Sequence, residues 1–155
     1  MSAPPSWQAR LGQLGLELPE VVAPLAAYVP AVRTGNLVYT AGQLPMQAGK
    51  LLSTGKVGAG VSPDEGKALA RICALNALAA VNSLVDIDAV TRVVKVVGFV
   101  ASAPGFNGQP SVVNGASELL AEVFGEQGAH ARSAVGVSEL PLDAPVEVEL
   151  IVEVG

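Results

Sequence analysis

The chain has 155 residues, half of them hydrophobic and 15% charged, with a net charge of −5 and an isoelectric point near 4.8. This length fits one domain with a full core, and the acidic balance disfavours a nucleic-acid partner, which normally needs a basic footprint. So little charge also predicts that further surface is hidden in an oligomer. The lone cysteine, Cys73, rules out an internal disulfide and fits a cytoplasmic protein. "MSAPPSWQAR" lacks a basic region followed by an apolar one, so no secretory signal is expected, and no run approaches the roughly 18 apolar residues of a membrane span.

In chain order, "SWQARLGQLG" predicts a short helix with Ser6 as N-cap and Gly12 or Gly15 as its stop. Pro19, Pro24 and Pro30 forbid regular structure in the following stretch, which reads as an arm lying along a surface. "AVRTGNLVYTAGQLP" reads as a hairpin turning at Thr34-Gly35-Asn36, its second strand ended by Pro45. The glycine-rich 46–61 segment reads mostly as loop. From Ser62 a helix is predicted, with Pro63 at its first position, Glu65 closing an S-x-x-E box, and an apolar stripe of Ala68, Leu69, Ile72, Leu75, Leu78 and Ala79. Cys73 lies beside that stripe and reads as a buried, inert thiol.

"AVTRVVKVVGFVAS" is β-branched throughout and predicts a central strand. "QPSVVNGASELLAEVFG" returns to helical period through Val112, Val113, Ala116, Leu119, Leu120 and Val123, and stops at Gly125. Two strands complete the order β-β-α-β-α-β-β. In "RSAVGV", Arg132, Ala134 and Gly136 share one face; in "VEVELIVEV" the valines and Leu150 share one face while Glu147, Glu149 and Glu153 project from the other. The valine face is expected to pack on the helices. The opposite face is expected to be small on one strand and acidic on the next. The result is an α+β fold, a mixed sheet with two helices on one face and an open side left for water or another subunit.

One histidine and one cysteine cannot make a His/Cys metal cluster, and no nucleophile elbow, Walker loop or G-x-G-x-x-G occurs. "STGKVGAG" lacks the Lys-Ser/Thr ending of a phosphate loop and reads as a turn. His130 reads as an exposed loop residue rather than a catalytic base. Tyr28, the Gly42-Gln43 step, Asn114, Arg132 and Glu147 remain. Ala134 and Gly136 leave room beside Arg132, whose rigid fork of donors suits a carboxylate. Glu147 would stand on a neighbouring strand if 132–137 and 146–154 pair. On these residues alone, a ligand site and a surface salt bridge both fit.

"HARSAVGVSELPLDAPVEVE" resembles the signature of the RidA/YjgF family of reactive-intermediate (2-imino acid) deaminases, roughly A-R-S-x-V-x-V-x-x-L-P followed by an acidic strand. "YVPAVRTGNLVYTAGQLP" resembles that family's N-terminal hairpin, and "VVNGASELLAEVFG" its second helix with the opening V-N pair. The resemblance runs from Tyr28 to the C-terminus. It divides the chain into an N-terminal extension, 1–27, and a RidA/YjgF-like domain, 28–155. It implies a chorismate-mutase-like fold in a homotrimer with ligand clefts between subunits, and hydrolysis of 2-imino acids to 2-oxo acids and ammonia without a cofactor or metal. By the family pattern Arg132 holds the substrate carboxylate, Glu147 handles the water, and Tyr28, Gly42 and Asn114 contact ligand, with Tyr28 reaching in from either subunit. The family's serine before Gly-Gln is Ala41 here, and the cysteine often found two residues after the arginine is Ala134, so the pocket is more apolar. The alternatives are a non-catalytic trimer that binds carboxylate metabolites as a sensor or chaperone-like module, and an endoribonuclease, which the acidic charge opposes.

Overall fold

A computed structural model describes residues 6–24 and 26–155; residues 1–5 and Leu25 of the expected extension lie outside them. Helix α1 (Trp7–Gln13) starts where Ser6 accepts a hydrogen bond from the Ala9 amide. The predicted helix also contributes to the main core. Trp7 and Leu11 are buried, the Trp7 indole donates to the Val90 carbonyl at 2.8 Å, and its ring meets Phe124 edge-on with centroids 5.0 Å apart. Residues 16–24 then run without regular structure, Leu16 and Leu18 packing against the core.

Strands β1 (Ala31–Thr34) and β2 (Leu37–Thr40) form the expected hairpin, Thr34 facing Leu37 across Gly35-Asn36. The second strand ends at Thr40 rather than Pro45, although Gln43 bridges back to Val148. The segment expected to be loop holds a small hairpin, β3 (Met46–Gln47) and β4 (Lys50–Leu51), and it buries Val57 and Val61 completely. Helix α2 (Pro63–Leu84) starts at Ser62, whose hydroxyl accepts from the Glu65 amide at 3.1 Å. Its buried face is centred on Cys73 rather than beside it. Ala70, Cys73, Ala74, Ala77, Leu78 and Val81 are fully enclosed, while Ala68, placed on the stripe from the sequence, is exposed. Strand β5 (Val90–Ala101), helix α3 (Gln109–Phe124), strand β6 (Ala131–Val137) and strand β7 (Val146–Val154) follow. All six apolar positions expected to face inward from α3 are buried.

The main sheet runs β1-β2-β7-β5-β6, with β5 and β6 parallel and every other pair antiparallel. Val146, Val148, Leu150, Val152 and Val154 all enter the core against the helices, as expected for β7. Two expectations about β6 are corrected. It does not pair with β7, because β5 lies between them. Its Arg132-Ala134-Gly136 face is also the helix side, not the face that carries the glutamates. Arg132 is level with buried Val96, Ala134 packs on the core, and Arg132 is hydrogen-bonded to α3. Ser133, Val135 and Val137 therefore share the open face with Glu147 and Glu149.

Candidate functional site

Arg132 lies at the start of β6, where the N-terminal half of α3 crosses the sheet edge. Its Nη1 donates to Asn114 Oδ1 at 2.7 Å and to Ser117 Oγ at 3.2 Å, and its Nη2 to the Pro110 carbonyl at 3.3 Å. Asn114 and Ser117 are one helical turn apart, so both meet the same guanidinium. Ala134, half-buried, leaves space beside the arginine on the same face. The space over Gly136 is occupied by the Gln109 amide, which a Cβ there would meet at 2.6 Å. His130 is half-buried and not the exposed loop residue expected. Its Nδ1 is 2.6 Å from the Gly128 carbonyl and its Nε2 is 2.8 Å from Ser117 Oγ.

Glu147 opens β7 on the other side of the sheet, level with Phe99 of β5. Its carboxylate lies against the backbone of Gly42, so close that a Cβ on Gly42 would come within 2.6 Å of Oε1. Glycine is the residue that leaves this carboxylate room. Burial holds the Glu147 carboxyl above its ordinary range, and the charge of Glu149 pushes it further the same way. Burial also raises Glu149. A half-buried carboxylate poised for protons is the form a general base takes at neutral pH. Tyr28, 46% exposed, joins Gly42 and Gln43 around a cavity of about 30 Å³, whose far wall is Val22, Ala23 and Pro24. Asn76, buried on α2, fixes the adjoining segment by donating to the Leu44 and Met46 carbonyls at 3.1 and 2.9 Å.

The five residues singled out in the sequence thus form two groups, Arg132 with Asn114, and Gly42 with Glu147 against its backbone and Tyr28 across the small cavity. Within one chain the groups do not meet. Arg132 and Glu147 align with positions 96 and 99 of β5 from opposite flanks, so their backbones are roughly 10 Å apart along the strands and roughly 10 Å apart across them. Their side chains then leave opposite faces. A salt bridge within the chain is excluded.

The sequence reading missed Ser117 and misjudged His130. The signal was present, since His130 stands two residues before Arg132 on an extended segment, and Ser117 three residues after Asn114 on a helix. Cys73 is buried, its thiol pushed well up by burial and by the Glu147 charge, which makes it a core residue and not a nucleophile. Among the described residues no group of three His, Cys, Asp or Glu side chains could hold a metal ion, and no helix is long and apolar enough to cross a membrane.

A five-stranded mixed sheet with α2 and α3 on one face, and polar groups on its edge strand β6 and on β7, defines an α+β protein of chorismate-mutase-like architecture. Residues 8–154 match the family model described as "YjgF/chorismate mutase-like, putative endoribonuclease", and the chain belongs to that family. It is 46% identical over 149 residues to protein TCP17 of Trypanosoma cruzi, covering 95% of this chain and 93% of that one. It is 32% identical over 139 residues to a 2-iminobutanoate/2-iminopropanoate deaminase of Dermatophagoides farinae, covering 88% and 93%. The crystal structure of Atu1372 from Agrobacterium tumefaciens, a protein of unknown function, superposes with a TM-score of 0.88 at 46% identity, covering 96% of this chain and 92% of that one.

Proposed function

We propose that the protein hydrolyses small 2-imino acids to 2-oxo acids and ammonium in clefts between copies of the chain, each cleft formed by Arg132 and Asn114 of one copy and Glu147, Gly42 and Tyr28 of the next. The observation that carries this reading is the division of complementary chemistry between two faces. One group supplies a cation with donors to spare, the other a half-buried carboxylate of raised proton affinity. Each lacks what the other has. The one relative of stated activity among those described above is an imino-acid deaminase, which supports the same chemistry.

The steps follow from the groups. Arg132 grips the substrate carboxylate through two parallel N–H bonds. Glu147 takes a proton from water as the oxygen attacks the iminium carbon, giving a neutral carbinolamine. The protonated Glu147 returns that proton to the nitrogen. The C–N bond breaks, and the departing ammonia takes the hydroxyl proton to leave as ammonium with the 2-oxo acid. An iminium carbon is already electrophilic, so orientation and one proton carrier account for the chemistry. With a net charge of −5, the surface does not favour the phosphate backbone an endoribonuclease must bind.

Mixing two inactive variants tests the shared cleft. In co-assembled Arg132→Ala and Glu147→Gln chains, random mixing gives about a quarter of the clefts both native groups, so about a quarter of parent activity returns. A cleft built within one chain always carries one defect, and no activity returns on mixing.

A further inference from the structure

Arg132 belongs to a chain of hydrogen bonds that reaches back to the sole histidine, and the direction of each bond can be assigned. The Gly128 carbonyl can only accept, so the proton of the neutral His130 ring is on Nδ1, 2.6 Å away. Nε2 is then an acceptor, and the Ser117 hydroxyl, 2.8 Å from it, donates. With its proton turned toward the histidine, Ser117 presents lone pairs to Arg132 Nη1 at 3.2 Å. Were Ser117 turned the other way, its hydroxyl proton would point at a guanidinium that has only donors.

The arginine's own count completes the picture. Of five N–H groups, Nη1 uses two on Asn114 and Ser117, and Nη2 uses one on Pro110. Among the described residues Nε–H and the second Nη2–H have no partner. One edge of the guanidinium is secured and the other is left for a ligand. We propose that His130, acting through Ser117, is a positioning residue that holds Arg132 with this carboxylate-binding edge free; the proposal rests on the reading above that Arg132 is the carboxylate anchor. A long side chain fixed before the ligand arrives does not lose its rotamer freedom on binding, so the ordering cost moves from binding to folding. The spacing supplies the means, since His130 and Arg132 lie on the same side of an extended segment and Asn114 and Ser117 on one side of α3.

The test measures binding of 2-oxobutanoate and of its uncharged methyl ester by calorimetry to the full-length protein and its variants. His130→Ala is expected to weaken the acid roughly tenfold, the size of a lost hydrogen bond to a charged group, and to leave the ester unchanged. His130→Gln, whose side-chain carbonyl can accept from Ser117 in place of Nε2, should recover most of that loss. In an Arg132→Ala background His130→Ala should have no further effect, a result that a general packing role would not give. Ser117→Ala breaks the link without touching the histidine and should reproduce the selective loss should His130→Ala fail to fold. If Arg132→Ala loses the acid while His130→Ala and Ser117→Ala bind it like the parent, the positioning role is wrong and the anchor reading stands. If His130→Ala weakens acid and ester alike, the histidine acts on the fold and the proposal is overturned. If Arg132→Ala binds the acid like the parent, the anchor reading itself fails.

Discussion

Glu147→Gln separates a working carboxylate from a structural one, because the two roles give stability changes of opposite sign. Glu147 is held above its ordinary range by burial and by Glu149. A carboxyl with a raised folded-state affinity binds more protons in the native than in the unfolded chain. Stability therefore falls as pH rises from the ordinary carboxylate range through the raised one, and the penalty is complete above it. The variant keeps shape and removes the charge, so near pH 7 it should be the more stable protein. Removing a desolvated charge changes stability in one direction only, so the melting temperature should rise, by an amount that solvent screening of a half-buried group keeps below the ~1–3 kcal/mol of an unsatisfied buried polar group. Thermal melts of parent and variant between pH 3.5 and 8 should coincide at the acid end, where both side chains are neutral, and diverge as pH rises. Turnover should meanwhile drop about 100-fold or more with the loss of the proton carrier. A variant that melts below the parent at pH 7 would show that Glu147 is held in a stabilising ion pair, and the base assignment would be refuted.

Arg132→Ala should weaken 2-oxo acid binding by about 2–5 kcal/mol, the range for truncating one side of a desolvated charge pair, and leave the melting temperature close to that of the parent; calorimetry and a thermal melt on the same sample check both halves. Val148→Asp places a carboxylate at a position 1% exposed inside the core and should cost several kcal/mol, enough to lose the cooperative transition seen by circular dichroism. Light scattering after size exclusion should give about three times the chain mass of 15.6 kDa; a monomer at micromolar concentration refutes the shared cleft.

Much of the fold was legible because several independent signals agreed. Ser62, Pro63 and Glu65 mark the start of α2 together, and the 112–123 periodicity and Gly125 fix α3. In β7 every second residue is buried, so its alternation identifies an inner and an outer face. Strand β6 has the same alternation but no such label. None of its seven residues is fully buried, so the pattern shows which side chains share a face without showing which face is inside. That is why Arg132 was placed on the wrong side and its strand beside the wrong neighbour. The β3–β4 hairpin was hidden for a different reason. Its turn needs positive φ at both Ala48 and Gly49, 51° and 79°, and alanine at the first position gives no turn signal. At the candidate site, the roles of Arg132, Asn114 and Glu147 came from the family resemblance, because on the residues alone a ligand site and a surface salt bridge both fit. Their division between two faces was not readable, since it depends on β5 lying between β6 and β7.

That division also constrains how copies of the chain can associate. A twofold dimer uses one patch on each partner, with every contact made twice. To place Arg132 of one copy against Glu147 of the other in that way, a single patch would have to contain both residues. They leave opposite faces of the sheet, two strands apart, which disfavours such a patch. The proposed cleft calls instead for a head-to-tail contact, with the open face of one copy set against the β6 edge and α3 of the next. The open face is suited to this. Val32, Tyr39 and Val135 are exposed on it beside Lys95 and the three glutamates of β7, of which Glu147 and Glu149 are already partly desolvated. Head-to-tail contacts repeat until they close into a ring, and each contact in a closed ring makes one complete cleft. Assembly and activity should therefore be lost together when that face is disrupted, even by a substitution distant from Arg132 and Glu147.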